Sequence, residues 1–199
     1  MDEQESLVAA INEEVKLCAY NSAWPSLYEE ERQRLHALLP GTIIDIQHIG
    51  STSVPGLMAK PIIDILAGVA SMEVAESIGE VLCKSGYTTS AEFNRSLTDR
   101  KWFMRWANGH RTHHLHVGVH AGPVWSERLK FRNALRADPE LAAKYEKLKV
   151  QMTTEHSQDR EAYTDARRTS FKPCHEPPNP SIERVLSGLQ PPNASHVKR

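Results

Sequence analysis

A nearly uninterrupted apolar stretch, residues 62–69 (IIDILAGV), places the strongest constraint on the fold of this 199-residue chain. Such a run is typical of a strand buried on both faces. Burial on both faces requires further layers, so we predict a sheet that is covered by helices. Asp64 lies inside this stretch, and a buried carboxylate costs several kcal/mol unless it is paired, hydrogen-bonded or bound to a metal. The alternative explanation of Asp64 is structural, namely a helix cap or an ion pair with an arginine.

Local patterns elsewhere predict a mixture of strands and helices. Further strands are predicted at residues 14–20, 42–49, 87–89, 101–107 and 112–119. Asn108-Gly109, between the last two, is a strong hairpin signal. Helices are predicted over residues 25–39, 72–84 and 160–171, from Trp125 onward, and from Pro139 onward with an apolar stripe of Leu141, Tyr145, Leu148 and Met152. This order predicts an α/β or α+β domain, with a mixed sheet flanked by helices and a helical C-terminal part.

Proline content divides the chain into a domain and a tail. Six of the twelve prolines lie from Pro173 onward, among Asn and Ser residues. We therefore predict one folded domain over residues 1–172 and a Pro-rich, extended tail over residues 173–199.

Composition limits the cellular compartment in which we expect the protein and the classes of partner that it can bind. No apolar run approaches the roughly 20 residues of a membrane helix, and the N-terminus carries acids where a secretory signal requires basic residues. The three cysteines form no CxxC pair, so we expect a reducing, cytoplasmic location and no membrane partner. The net charge of −1 gives no indication of nucleic-acid binding, and the sequence identifies no protein partner.

Positive charge is concentrated in one segment, residues 95–132. It holds eight Lys or Arg residues, two acids and five of the ten histidines. The segment predicts either a local site for a phosphorylated or otherwise anionic partner, or a solvated basic face.

The loop between the first two apolar strands contains Gly50, Ser51, Thr52 and Ser53, which we call the Gly50 turn (residues 50–53). Three hydroxyls and several backbone N–H groups on a flexible backbone are typical of phosphate binding. The loop is not a P-loop, because Gly56 is followed by Leu57 where that motif has lysine.

Two histidines alternate on the strand predicted at residues 112–119. Strand geometry places His114 and His116 on one face. Two imidazoles two residues apart, with a carboxylate as a third ligand, are a common way to bind a divalent metal. Phosphate binding or hydrogen bonding within the core is an equally open interpretation of the pair.

Several segments together resemble a known family. Residues 48–57 (HIGSTSVPGL) and 59–65 (AKPIIDI) resemble the signature of the GrpB-like family, which belongs to the nucleotidyltransferase-like superfamily. The resemblance spans about residues 15–171 in the same order. It continues at Tyr20-Asn21, Trp24-Pro25, residues 114–117 (HLHV), Phe131-Arg132, Leu135-Arg136 and Tyr163-Thr164.

The resemblance implies a nucleotidyltransferase-like fold, in which a Gly-Ser turn holds nucleotide phosphates and three carboxylates bind Mg²⁺. Gly50-Ser51 matches the turn and Asp64 matches the first carboxylate. The position of the second carboxylate is Leu66, and the expected place of the third offers His114 and His116. Imidazoles suit Zn²⁺ or Mn²⁺ better than Mg²⁺.

We therefore expect an enzyme that transfers a nucleotidyl or phosphoryl group from ATP or another nucleoside triphosphate to an acceptor that the sequence does not identify. The alternative is a non-catalytic nucleotide- or phosphate-binding regulatory module. In the enzyme, Asp64 is the catalytic residue, and Asp64, His114 and His116 hold a divalent ion (Mn, Zn or Mg). Substrate phosphates are expected to contact Gly50, Ser51, Thr52, Ser53, Lys60, Arg111 and Arg132.

Overall fold

The computed structural model describes residues 3–14 and 16–155. The helices are α1 (Glu3–Ile11), α2 (Trp24–Leu38), α3 (Met72–Ser77), α4 (Gly79–Lys84), α5 (Ala91–Ser96), α6 (Pro123–Ala137) and α7 (Pro139–Glu155). The strands are β1 (Asp45–Ile49), β2 (Ile63–Val69), β3 (Arg100–Ala107) and β4 (His110–Val119). A short 3-10 turn, Ser51–Ser53, follows β1.

The four strands form one mixed sheet in the order β1-β2-β4-β3. Strand β2 pairs with β1 in antiparallel and with β4 in parallel orientation, and β3 is antiparallel to β4. The parallel β2–β4 pair requires a long connection, and α3, α4, α5 and β3 lie within it. The predicted mixed sheet with flanking helices, an α+β fold, is confirmed.

The two faces of the sheet have different characters. Odd-numbered residues of β2, such as Ile65, pack with Leu115 of β4 and with residues of α2, α3 and α4 in the main core. On the even-numbered face, Leu66 packs with Ile49 and with Trp125 of α6. Asp64 shares this second face, which places the candidate site between the sheet and α6.

Most local predictions are confirmed. Strands form within residues 42–49 and 62–69, and helices follow Pro25, Trp125 and Pro139 as expected. Asn108 and Gly109 join β3 to β4 with φ values of +52° and +77°. Positive φ at both residues is the signature of a type I′ hairpin turn.

Two strand predictions are wrong. Of residues 14 and 16–20, which the structure describes, only Cys18 forms a bridge, with Ala59, and within residues 87–89 only Thr88 does, with Met104. The predicted helix over residues 72–84 forms as two short helices, α3 and α4, and neither α1 nor α5 was predicted.

Some predictions lie outside the described residues, namely the helix at residues 160–171, the tail at residues 173–199 and the domain boundary between them. Within residues 3–14 and 16–155, no helix combines the length and the apolar character needed to cross a bilayer.

Candidate functional site

Asp64 and His114 meet on neighbouring parallel strands. They occupy the same register position of β2 and β4, so their side chains share the even-numbered face. Nδ1 of His114 lies 3.1 Å from Oδ1 of Asp64, and the two side chains are 19% and 24% exposed. This contact gives the carboxylate a hydrogen-bonding partner and leaves the pair accessible to a ligand.

The Gly50 turn packs directly against this carboxylate. Gly50 has φ +70° and ψ −174°, a region that is essentially restricted to glycine. A Cβ atom added to Gly50 would lie 2.2 Å from Oδ2 of Asp64. The missing side chain therefore allows the turn and the carboxylate to approach each other.

Two of the three hydroxyls of the Gly50 turn hold the loop together. Oγ1 of Thr52 donates to the carbonyl oxygen of Ile62 at 3.1 Å and lies 3.1 Å from Nε2 of His48. Oγ of Ser53 donates to the carbonyl oxygen of Gly50 at 2.6 Å. Thr52 and Ser53 are both buried. Both hydroxyls thus already donate within the loop, and the contact of Thr52 and Ser53 with phosphate stays a prediction.

Ser51 differs from its two neighbours. Its side chain is half-buried, and its Oγ lies 3.2 Å from Nζ of Lys149 on α7. Lys149 is only 1% exposed, it also donates to the carbonyl oxygen of Met58, and its Nζ lies 5.0 Å from the centre of the Tyr145 ring. Lys149 was not among the residues that the sequence pattern predicts for the site.

Two arginines of α6 add positive charge beside the turn. Arg136 donates from Nε and Nη2 to the carbonyl oxygen of Ser53, at 2.9 and 2.7 Å. Arg132 donates from Nη1 to the carbonyl oxygen of His48 at 2.9 Å and to Oε1 of Gln47 at 2.8 Å. These acceptors are neutral, so the hydrogen bonds do not neutralise the positive charges of Arg132 and Arg136. Burial, followed by the nearby charge of Arg136, lowers the pKa of Arg132.

The other two predicted phosphate ligands, Arg111 and Lys60, lie in different surroundings. Arg111 donates from Nε to the carbonyl oxygen of Ala10 and from Nη2 to that of Ile11, at 2.9 and 3.0 Å. These are the last carbonyl groups of α1, so Arg111 anchors a helix end and its predicted phosphate contact is corrected. Lys60 is half-buried in the segment that leads into β2, and its role in phosphate binding stays a prediction.

The basic segment predicted at residues 95–132 is therefore not a single surface. Besides Arg111, Arg100 pairs with Asp99 at 2.8 Å, and Arg105 pairs with Glu31 on the opposite face of the sheet. Arg132 of this segment contacts the strand that leads into the Gly50 turn, through the carbonyl oxygen of His48.

His116 lies in a cationic, water-poor environment. It is 4% exposed and stands opposite Leu66 in the β2–β4 register. Burial lowers the pKa of His116 well below its usual value, and Arg128, Arg100 and His114 lower it further. Its Nδ1 has no hydrogen-bond partner among the described residues.

The predicted metal ligands do not form a metal site in the described part of the chain. No three His, Cys, Asp or Glu side chains within it are arranged to hold a metal ion. Asp64 and His114 touch each other, whereas the two arginines near His116 would repel a cation there. Leu66, at the position of the second carboxylate, is fully buried against Ile49 and Trp125. The residues present therefore do not fit the metal site that the resemblance implies.

Comparison with known proteins supports the resemblance along most of the chain. A family model described as GrpB protein matches residues 14–176. The chain is 36% identical over 183 residues to UPF0157 protein YqkA of Bacillus subtilis (strain 168), an alignment that covers 92% of this chain and 51% of YqkA. The chain thus spans about half the length of that relative.

Two further similarities extend the comparison. A dephospho-CoA kinase of Mycolicibacterium paratuberculosis is 25% identical over 183 residues, covering 81% of this chain and 45% of the kinase. The crystal structure of conserved protein GrpB from Enterococcus faecalis superposes with a TM-score of 0.70 at 31% identity, covering 87% of this chain and 98% of that chain. From the family match and this shared fold, the chain belongs to the GrpB family.

Proposed function

We propose that this GrpB-family chain binds the phosphate groups of a nucleotide at the Gly50 turn and transfers a nucleotidyl or phosphoryl group to an acceptor. The observation that carries the proposal is the close approach of Gly50 to the carboxylate of Asp64, which His114 holds from the other side. A phosphate at the turn would thus lie beside an oriented carboxylate.

The charges around the turn favour an anion. Arg132 and Arg136 contact neutral oxygens, and Lys149 brings a third cation to Ser51. Partly buried cations attract an anion more strongly than solvated ones do, because little water screens them. Hydrogen bonds to a charged phosphate contribute about 1.5–3 kcal/mol each.

Asp64 is the group placed to take a proton. The Nδ1–H of His114 donates to Oδ1 and orients the carboxylate, while Oδ2 faces the Gly50 turn. In the proposed step, the hydroxyl oxygen of the acceptor molecule forms a bond to phosphorus, and Oδ2 of Asp64 takes up the proton of that hydroxyl. The P–O bond to the leaving phosphate breaks, and the leaving phosphate keeps its electrons. The proposed step uses only side chains of this chain, and the divalent ion (Mn, Zn or Mg) expected from the sequence stays a prediction.

The similarity to a dephospho-CoA kinase supports a role near phosphoryl transfer. The match covers 45% of that kinase, so a segment similar to this chain occurs in one polypeptide with the named activity. It gives no reason to assign the kinase reaction itself to this chain, because more than half of the kinase lies outside the match.

The non-catalytic binding module remains the second candidate. The observation that favours it is Leu66, which is fully buried where the resemblance implies a second carboxylate. A chain that keeps the turn and the cations would still bind phosphate without this acid.

Calorimetric titration with ATP and with adenosine tests phosphate binding. Ser51→Ala should weaken ATP binding about tenfold, since it removes one hydrogen bond to a charged group, and should leave adenosine binding unchanged. Ser77→Ala, an exposed serine on α3, is the matched control. Equal losses for both ligands, or no ATP binding by the wild type, would overturn the proposal.

Turnover separates the two candidate functions. Phosphorus NMR of ATP with a panel of hydroxyl acceptors should detect a transferred group with the wild type. Asp64→Asn should slow transfer by roughly a hundredfold or more if Asp64 is the general base. ATP binding without turnover across the panel would favour the regulatory module.

A further inference from the structure

We infer that Lys149 is a positioning residue, which orients the hydroxyl of Ser51 so that Ser51 can donate to a phosphate bound at the Gly50 turn. The inference rests on the proposed function and adds to it the residue that fixes the phosphate-binding hydroxyl. It follows from an account of where each hydroxyl proton of the turn is used.

A serine or threonine hydroxyl has a single proton to donate. Thr52 gives its proton to the carbonyl oxygen of Ile62, and Ser53 gives its proton to that of Gly50. Either side chain would have to break a buried hydrogen bond before it could donate to a ligand, which costs about 1–3 kcal/mol.

The hydroxyl of Ser51, in contrast, accepts a hydrogen bond from the protein. The ammonium group of Lys149 has donors and no acceptor, so Oγ of Ser51 must accept from Nζ across their 3.2 Å separation. The hydroxyl proton must then point away from Nζ of Lys149, so Ser51 can donate it to a ligand. Because Ser51 is half-buried whereas Thr52 and Ser53 are buried, this proton is the accessible one.

Lys149 is fixed well enough to act as a positioning residue. Its Nζ donates to the carbonyl oxygen of Met58 and lies over the Tyr145 ring, and the side chain is 1% exposed. Glu146, one helical turn earlier, accepts from the backbone N–H of Met58 at 2.6 Å. Helix α7 therefore clamps Met58 through two residues, and one of them, Lys149, also reaches Ser51.

This arrangement provides a matched pair of variants. Lys149→Met removes the donor to Ser51 and part of the Met58 clamp, with little change in length. Glu146→Gln weakens the same clamp and leaves the contact with Ser51 intact. A purely structural role of Lys149 predicts similar effects of both variants on ligand binding, whereas a positioning role predicts that only Lys149→Met weakens it.

The test is a double-mutant cycle on ATP affinity, measured by calorimetry with adenosine as the uncharged comparison. Ser51→Ala and Lys149→Met should each weaken ATP binding about tenfold. In the Ser51→Ala background, Lys149→Met should cost less than about threefold, because its effect passes through the missing hydroxyl. Glu146→Gln should lower the melting temperature and leave ATP affinity unchanged.

The possible failures are distinguishable. Additive losses in the cycle, or unchanged ATP binding by Lys149→Met, would overturn the inference and leave the proposed function standing. No ATP binding by the wild type would overturn both. If Lys149→Met does not fold, Lys149→Leu carries the same comparison, because it also removes the donor to Ser51 and places an apolar side chain at a position that is 1% exposed.

Discussion

Gly50 and Asp64 are in such close contact that a Cβ atom on Gly50 would lie 2.2 Å from Oδ2 and 2.8 Å from Cβ of Asp64. Both separations are shorter than non-bonded atoms tolerate, and Asp64 is held in place by the β2 backbone and by His114. The glycine is thus a steric requirement of the carboxylate, in addition to being a flexible position in a loop.

Gly50→Ala should therefore destabilise the protein well beyond the cost of its backbone angle. Gly41 is the matched control, because it has φ +71° and no atom within 4 Å of an added Cβ. Gly41→Ala should cost about 1–2 kcal/mol, the usual penalty for a left-handed backbone. Gly50→Ala should cost about 2 kcal/mol more, since a collision in a packed site adds to that penalty.

Urea unfolding of the two glycine variants provides the measurement. Equal losses in the free energy of unfolding would show that the Gly50 turn moves away from Asp64 at no cost. In that case the close approach that carries the proposed function would not be a fixed feature of the fold.

Local sequence patterns made much of the sheet and part of the candidate site predictable. Continuous apolar character at residues 62–69 identified β2, and Asn108-Gly109 identified the hairpin between β3 and β4. The alternation in each strand placed Asp64 and His114 on matching faces, and their contact requires only that β2 and β4 be neighbours. The strand patterns and the hairpin turn depend on residues that are close in the sequence, whereas the pairing of β2 with β4 joins residues 50 apart.

Features that depend on distant packing were not predictable. The apolar spacing of α7 indicated a stripe through Tyr145, Leu148 and Met152, yet the structure buries Lys149 and leaves Leu148 half-buried. A buried ammonium group is tolerated there because it meets Met58, Ser51 and an aromatic ring. No local pattern indicates a partner 98 residues away.

Helix α1 illustrates the same limit. Its residues give only weak amphipathic character, and contacts with the β3–β4 hairpin hold it. Oγ of Ser6 accepts from the N–H of Gly109 at 2.8 Å, and Arg111 binds its last carbonyl groups. The arginine that was predicted to bind phosphate is thus used to attach a helix that was not predicted.

A buried acid on the other face of the sheet should contribute strongly to stability. Glu31 is 3% exposed and accepts hydrogen bonds from Tyr87 at 2.6 Å, from Arg34 at 3.2 Å and from Arg105. Glu31→Ala leaves the tyrosine hydroxyl and two cations without this acceptor. We expect a loss of about 3 kcal/mol in the free energy of unfolding, measured in urea.

Glu29 on the same helix is the control for Glu31. It pairs with Arg32 at 2.7 Å with the same i,i+3 spacing, but both side chains are close to 40% exposed. Water replaces a lost partner at such a site, so Glu29→Ala should have a much smaller effect. Comparable losses for the two variants would mean that burial does not strengthen the Glu31 network.

Stability should fall as the pH is lowered from about 6.5 to about 4, partly because of His48. Burial lowers the pKa of His48 to about 4, and the charges of Arg136 and Arg132 act in the same direction. The unfolded chain takes up this proton near pH 6.5, whereas the folded chain does so only near pH 4. The unfolded state therefore binds more protons in this window, so the free energy of unfolding falls as the pH is lowered.

His48→Gln removes the group that binds one of the extra protons of the unfolded state. The slope of the free energy of unfolding against pH should become shallower by about 1 kcal/mol per pH unit between pH 6 and 5. Burial also lowers the pKa of His113 to about 4, so part of the slope should remain in the variant. An unchanged slope would show that His48 has the same pKa in the folded and the unfolded protein.

The last prediction concerns divalent metals, for which the sequence and the structure give different expectations. The sequence predicts three ligands, Asp64, His114 and His116. In the structure, Asp64 and His114 are in contact, while His116 is buried near Arg128 and Arg100. These cations would raise the free energy of any metal ion bound at His116.

Calorimetric titration of metal-stripped protein with Zn²⁺ and Mn²⁺ decides between the two. We expect weak binding that is reduced in Asp64→Asn and unchanged in His116→Gln. His110→Gln is the control for a general loss of imidazole, because His110 lies on the same strand and its side chain is 70% exposed. A tenfold loss of Zn²⁺ affinity in His116→Gln, without a loss in His110→Gln, would mean that Asp64, His114 and His116 all bind the metal. A loss of that size is expected when a direct ligand is removed.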